Sequence, residues 1–112
     1  MSDKEKVVTE VTEVENSGVG TYKFKKPTII DGEKKTEINY DLSQITGVTL
    51  RRAKAELQKR AYTVAVKELD EVFHAAIFAE ITGLTIENVE SFSAVDYLGV
   101  ANIVRDFLMG EE

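Results

Sequence analysis

The sequence predicts an α+β domain in which an N-terminal β-hairpin is followed by a bundle of three to four helices. Three observations lead there. Two runs of period-two alternation flank Asp31-Gly32, apolar residues recur at helical spacing from Leu50 onward, and the end signals Gly83 and Ser93 with Asp96 punctuate the second half.

The 112 residues argue for one domain with one modest core. The chain has no cysteine, which removes disulfides, thiolate zinc sites, iron–sulfur clusters and cysteine nucleophiles. Fourteen Lys and Arg stand against twenty Asp and Glu, so the net charge is −6 and opposes non-specific binding to phosphate backbones. No apolar run approaches the ~20 residues of a membrane helix, and the N-terminus lacks a signal-peptide pattern. The expected compartment is a cytoplasm.

Residues 1–20 read as a flexible acidic tail carrying Glu10, Glu13 and Glu15, with Gly18-Val19-Gly20 as a joint, and residues 21–112 read as the single α+β domain. From Thr21 the chain alternates: Tyr22 and Phe24 share one face, while Lys23 and Lys25 share the other. The returning strand carries Thr36, Ile38, Tyr40 and Leu42 on one face. A two-residue Asp31-Gly32 loop would set Phe24 opposite Asn39 and turn an apolar face to water. The expected connection is therefore a three-residue loop, Ile30-Asp31-Gly32, with Gly32 left-handed; it pairs Phe24 with Ile38 and Tyr22 with Tyr40. Pro27 fits an edge position.

Thr49 is expected to cap a helix through Leu50, Ala53, Leu57 and Ala61, with a basic outer side from Arg51 to Arg60. Tyr62 to Val66, rich in β-branched residues, reads as a connection. The next helix buries Leu69, Val72, Phe73, Ala76 and Ile77 and ends at Gly83, where Leu84 folds back over it. Thr85 opens a short helix. Ser93 caps the last one, with Asp96 three residues on and a staple between Phe92 and Tyr97. Its inner face is Tyr97, Val100, Ala101, Val104, Phe107 and Leu108. Val95, Leu98 and Ile103 lie off that face and need cover, from the domain itself or from a partner.

The chemistry-bearing residues are few. His74 is the one histidine, and Glu71-x-x-His74 occurs once where a di-iron bundle needs it twice. Asp70 and His74 read as a plain pair on a helix surface, so no metal site is expected. Asp96 reads as consumed by its helix start. There is no phosphate loop, nucleophile elbow or calcium loop, hence neither a cofactor nor a catalytic residue is expected. Lys23, Lys25, Lys26, Lys34 and Lys35 make the hairpin basic, and Tyr22, Phe24 and Tyr40 could imitate a base-stacking platform. Those aromatics are also the hairpin's core face, so nucleic acid is not the expected partner.

In their order and spacing, several segments resemble the phage tail assembly chaperone family of long-tailed phages. They are Tyr22-Lys23-Phe24 with Pro27 and Ile30-Asp31-Gly32, Tyr40-Asp41-Leu42 with Ile45-Thr46-Gly47, Ala79 to Leu84, Phe92 to Tyr97, and Val104 to Leu108. The resemblance implies a non-enzymatic factor of the bacterial host cytoplasm, phage or prophage encoded. Such a factor binds and solubilises the tape-measure protein, helps recruit the major tail protein, and is absent from the mature virion. A structural tail or neck component retained in the virion, and a small nucleic-acid adaptor, are the competing readings. Excess apolar helix surface suits contact with an amphipathic client, and a homo-oligomer would bury the same surface. Phe78, Leu98 and Ile103 are the candidate residues for the client contact. Filling the core is the alternative reading for them, and the one placed ahead.

Overall fold

The computed structural model describes residues 18–60 and 70–110. The readings of residues 1–17 as a tail and of Tyr62 to Val66 as a connection lie outside these residues. The chain opens with antiparallel strands β1 (Val19–Ile30) and β2 (Glu33–Asp41). A 3-10 turn at Leu42–Gln44 leads to helix α1 (Gly47–Lys59), and α2 (Glu71–Thr82), α3 (Ile86–Glu90) and α4 (Ala94–Leu108) follow. This is the expected α+β arrangement, a hairpin and then helices. β1 begins two residues before Thr21: Val19 and Gly20 pair with Asp41 and Tyr40, so the stretch read as a joint belongs to the sheet.

The hairpin register differs from the expected one. Ile30 pairs with Glu33 across a two-residue turn, with Asp31 at φ 51° and Gly32 at φ 83°. Positive φ at both central residues is the primed turn that matches the twist of paired strands, and Asp-Gly supports it. The mismatch that argued against this turn is absorbed in β1. Between the pairs Lys23–Glu37 and Thr28–Lys35, four residues of β1 face the single Thr36 of β2. This wide bulge shifts the register so that Tyr22 sits opposite Ile38 and the apolar faces coincide after all. Pro27, which has no N–H to lose, lies inside the bulge.

Local side-chain chemistry sets the helix ends. Thr46, not Thr49, caps α1: the Thr49 N–H donates to Thr46 Oγ1 at 3.4 Å, and the Thr46 N–H donates to Thr49 Oγ1 at 3.1 Å. Thr49 thus performs the return bond usually made by Glu or Gln. Thr85 and Asn88 repeat the reciprocal pattern at α3, both bonds at 3.0 Å. α2 ends at a left-handed Gly83, and the Leu84 N–H reaches back to the Ala79 carbonyl at 3.0 Å.

At the centre of the core lies α2. Every residue from Phe73 to Ala79 is buried, because α1, α3, α4 and β2 all pack around it. A helix apolar on all sides is stable only when enclosed in this way. His74 therefore lies in the interior at 1% exposure, which corrects its reading as half of a surface pair; Asp70 is instead the cap of α2 and accepts from the Phe73 N–H at 3.0 Å. The hairpin closes the core from one side. Phe24 meets Phe92 edge-on at 4.8 Å between ring centroids, and Tyr40 lies 6.0 Å from Phe78. No described helix is long and apolar enough to cross a membrane.

Candidate functional site

The orientation of α4 decides which of its side chains face outward, and Asp96 fixes that orientation. Ser93 caps the helix by accepting from the Asp96 N–H at 3.3 Å, as its sequence signal suggests. The Asp96 carboxylate, however, turns inward and is fully buried. One of its oxygens accepts from the Tyr22 hydroxyl at 2.7 Å and the Lys25 N–H at 2.8 Å. The other accepts from the Ser93 hydroxyl at 2.9 Å and the Lys26 N–H at 3.1 Å. Lys25 and Lys26 lie in the bulge, whose irregular backbone frees two amides from the ladder and aims them at α4.

Burial alone would push the Asp96 carboxyl up. The hydrogen bonds from the Lys25 N–H, Tyr22, Ser93 and the Lys26 N–H together outweigh it and hold the group below its ordinary value. The Tyr22 phenol is pushed up to about 12, by burial first and then by its bond to Asp96 and that carboxylate's charge. Tyr22 also lies across Gly99: a Cβ at this position would stand 2.5 Å from the Tyr22 hydroxyl oxygen. Glycine is thus required in mid-helix, where it is otherwise unfavourable by ~1 kcal/mol. The aromatic face of the hairpin is packed inward and offers no outward stacking platform.

With Asp96, Val100 and Val104 inside, helical geometry carries Val95, Leu98, Asn102 and Met109 to the outside. Val95 is 61% exposed, and Leu98 and Met109 are each 43% exposed. Arg105 and Asp106 lie beside Met109, their charged groups 3.9 Å apart. Phe107, expected on the inner face, is instead 39% exposed. The result is an apolar outer stripe with a polar centre and a charged border. Such a stripe suits an amphipathic helix laid along it.

The three residues expected at a client contact do not share this surface. Phe78 is at 0% exposure and packs against Tyr40, so it fills the core and is unavailable to a partner. A polar replacement there strikes the interior and should unfold the domain. Leu98 lies on the outer stripe. Ile103, five positions later and about 140° round the helix, is half-buried against the core. Val95 and Met109 complete the stripe. Val95 was legible as an apolar residue off the inner face; Met109 was not, because it follows the last helical residue.

A family model described as phage tail assembly chaperone proteins, E, or 41 or 14, matches residues 21–109. No curated protein and no solved structure matches the chain.

Proposed function

This chain belongs to the phage tail assembly chaperone family, and on that premise we propose that it binds the tape-measure protein, keeps it soluble and helps bring in the major tail protein. It acts by contact and not by catalysis, in the host cytoplasm, and leaves before the virion is complete. The observation that carries the reading is the outer stripe of α4, where Val95, Leu98 and Met109 stay exposed on a helix whose opposite face is core. A long helical client kept apart from its own copies needs such a surface to cover its apolar seam.

The test is co-expression with a tape-measure protein from the same genome as this chain. The unaltered chain should keep the client in the soluble fraction and co-purify with it. Leu98→Asp places a charge in the stripe without touching the core, so it should abolish co-purification while leaving the circular dichroism unchanged. Undiminished recovery of client with a folded Leu98→Asp chain would overturn the assignment of this face. Detection of the chain in purified virions would overturn its departure before completion.

A further inference from the structure

The outward residues of α4 are spaced as a seam. Val95, Leu98, Asn102, Arg105 and Met109 follow one another at steps of three, four, three and four, the alternation by which a helix keeps one edge against another helix. Four of the five are exposed and Arg105 is half-exposed. The Met109 N–H still donates to the Arg105 carbonyl at 2.9 Å, so the last member stays in helical phase. From Val95 to Met109 the seam runs for about 21 Å.

Its residue types carry further information. A branched valine in one row with leucine in the other favours a pair of parallel helices, and an asparagine in the valine's row fixes their register, because its amide needs a polar group opposite it. Val95, Leu98 and Asn102 hold these places in that order. Arg105 falls in the leucine's row. Its ion pair among the described residues is with its chain neighbour Asp106, at 3.9 Å, well beyond the roughly 2.7–2.9 Å of a charge-assisted hydrogen bond. The guanidinium is therefore left with donors for a carboxylate brought by another helix.

Arg105 also argues against a second copy of this chain as that helix. In a parallel pair, Arg105 of both copies would share one layer and repel. In an antiparallel pair the two rows face each other, and Arg105 would lie against Val95 or Asn102, neither of which offers it a charge. A different helix with a carboxylate at this layer meets neither penalty.

We propose that the outer seam of α4 receives one parallel helix of another protein, with apolar side chains against Val95 and Leu98, an amide against Asn102 and an aspartate or glutamate against Arg105. On the reading of α4 as the client surface, on which this rests, Asn102 sets the client's register. Arg105 selects the client and keeps copies of the chain apart.

The probe is a synthetic three-heptad peptide whose seam repeats valine, leucine, asparagine, glutamate and valine at the same steps; a second peptide has lysine in place of the glutamate. Fluorescence anisotropy with the full chain should show the glutamate peptide bound and the lysine peptide weaker by roughly tenfold or more. Arg105→Glu should reverse that order. Leu98→Asp should abolish binding of both while leaving the circular dichroism unchanged. Failure of the glutamate peptide to bind, or equal binding of the two peptides, would overturn the proposal. If Leu98→Asp still abolishes such equal binding, α4 stands as the client surface and its selectivity alone falls; binding that survives Leu98→Asp removes α4 from both readings. Sedimentation of the full chain alone should show no association that Leu98→Asp reverses, since such an association makes a second copy the occupant and overturns the proposal.

Discussion

Tyr22 and Asp96 stand 74 positions apart in the chain and meet in a hydrogen bond of 2.7 Å. Around that bond three features of the fold become one: the bulge in β1 supplies two amides, Ser93 supplies its hydroxyl, and Gly99 leaves room for the phenol. The buried carboxylate holds the hairpin on α4 and holds α4 at the rotation that exposes Leu98.

Asp96 should give the protein an acid limb of stability. Its folded pKa lies below the unfolded value of 3.8, so the stabilisation is present above that pH and is lost as pH falls through the lower, folded value. Tyr22 works in the opposite sense. Its pKa is raised from 10.0 to about 12, so its contribution is full below pH 10.0 and fades as pH rises toward about 12. Urea unfolding across pH should show the acid limb flattened in Asp96→Asn and the alkaline limb flattened in Tyr22→Phe. Glu56, held low first by Lys59, and Glu87, held low by Arg60, contribute the same acid dependence to all three proteins.

Gly99→Ala should destabilise, although the same change in an open helix stabilises by ~1 kcal/mol. The added methyl meets the Tyr22 hydroxyl and ring. Because removing the hydroxyl relieves part of the clash, the double variant with Tyr22→Phe should fall short of the summed single effects by ~0.5 kcal/mol or more. Additive effects in thermal or urea unfolding would refute the close packing of these two residues.

Phe78 and Leu98 should separate core from surface. Phe78→Ala removes a fully buried ring and should cost about 3–5 kcal/mol, enough to unfold a marginal domain. Leu98→Ser should remain within ~0.5 kcal/mol of the unaltered protein. Denaturant midpoints measured side by side decide the matter, and equal losses would contradict the exposure of Leu98.

Thr46→Ala and Thr49→Ala should each cost ~1 kcal/mol by removing one side of the reciprocal cap on α1. Together they should cost less than the sum, since the first replacement already breaks the pair. Helical ellipticity and urea midpoints of the three variants provide the check.

The boundaries of α2, α3 and α4 were legible because caps are local, whereas the start of α1 was read three residues late, at Thr49 instead of Thr46. Ser93, Thr85 and Gly83 each act within a few residues, and their sequence signals lie where the helices begin and end. The register of the hairpin was not legible, because the residues that require the bulge are not in the hairpin: the amides of Lys25 and Lys26 leave the ladder for a carboxylate 71 and 70 positions away. The burial of His74 escaped for a related reason. A single apolar stripe can be read from spacing, but enclosure on all sides depends on how many elements surround the helix. At the candidate site, Val95 and Leu98 showed as apolar residues on the wrong side of α4, whereas nothing in the spacing distinguished half-buried Ile103 from them.

The Asp96 anchor also bears on the order in which the protein can be completed during synthesis. The hairpin leaves the ribosome first, yet its bulge has nowhere to direct the Lys25 and Lys26 amides until Ser93 to Asp96 have followed. The nascent chain must therefore carry an unsettled β1 through the production of α1, α2 and α3, and only the first turn of α4 closes it. A polypeptide released before Ser93 would have most of its apolar residues and the contact of Tyr40 with Phe78, but not the buried carboxylate that ties the bulge to α4, which makes the last helix the step that commits the whole chain to its fold.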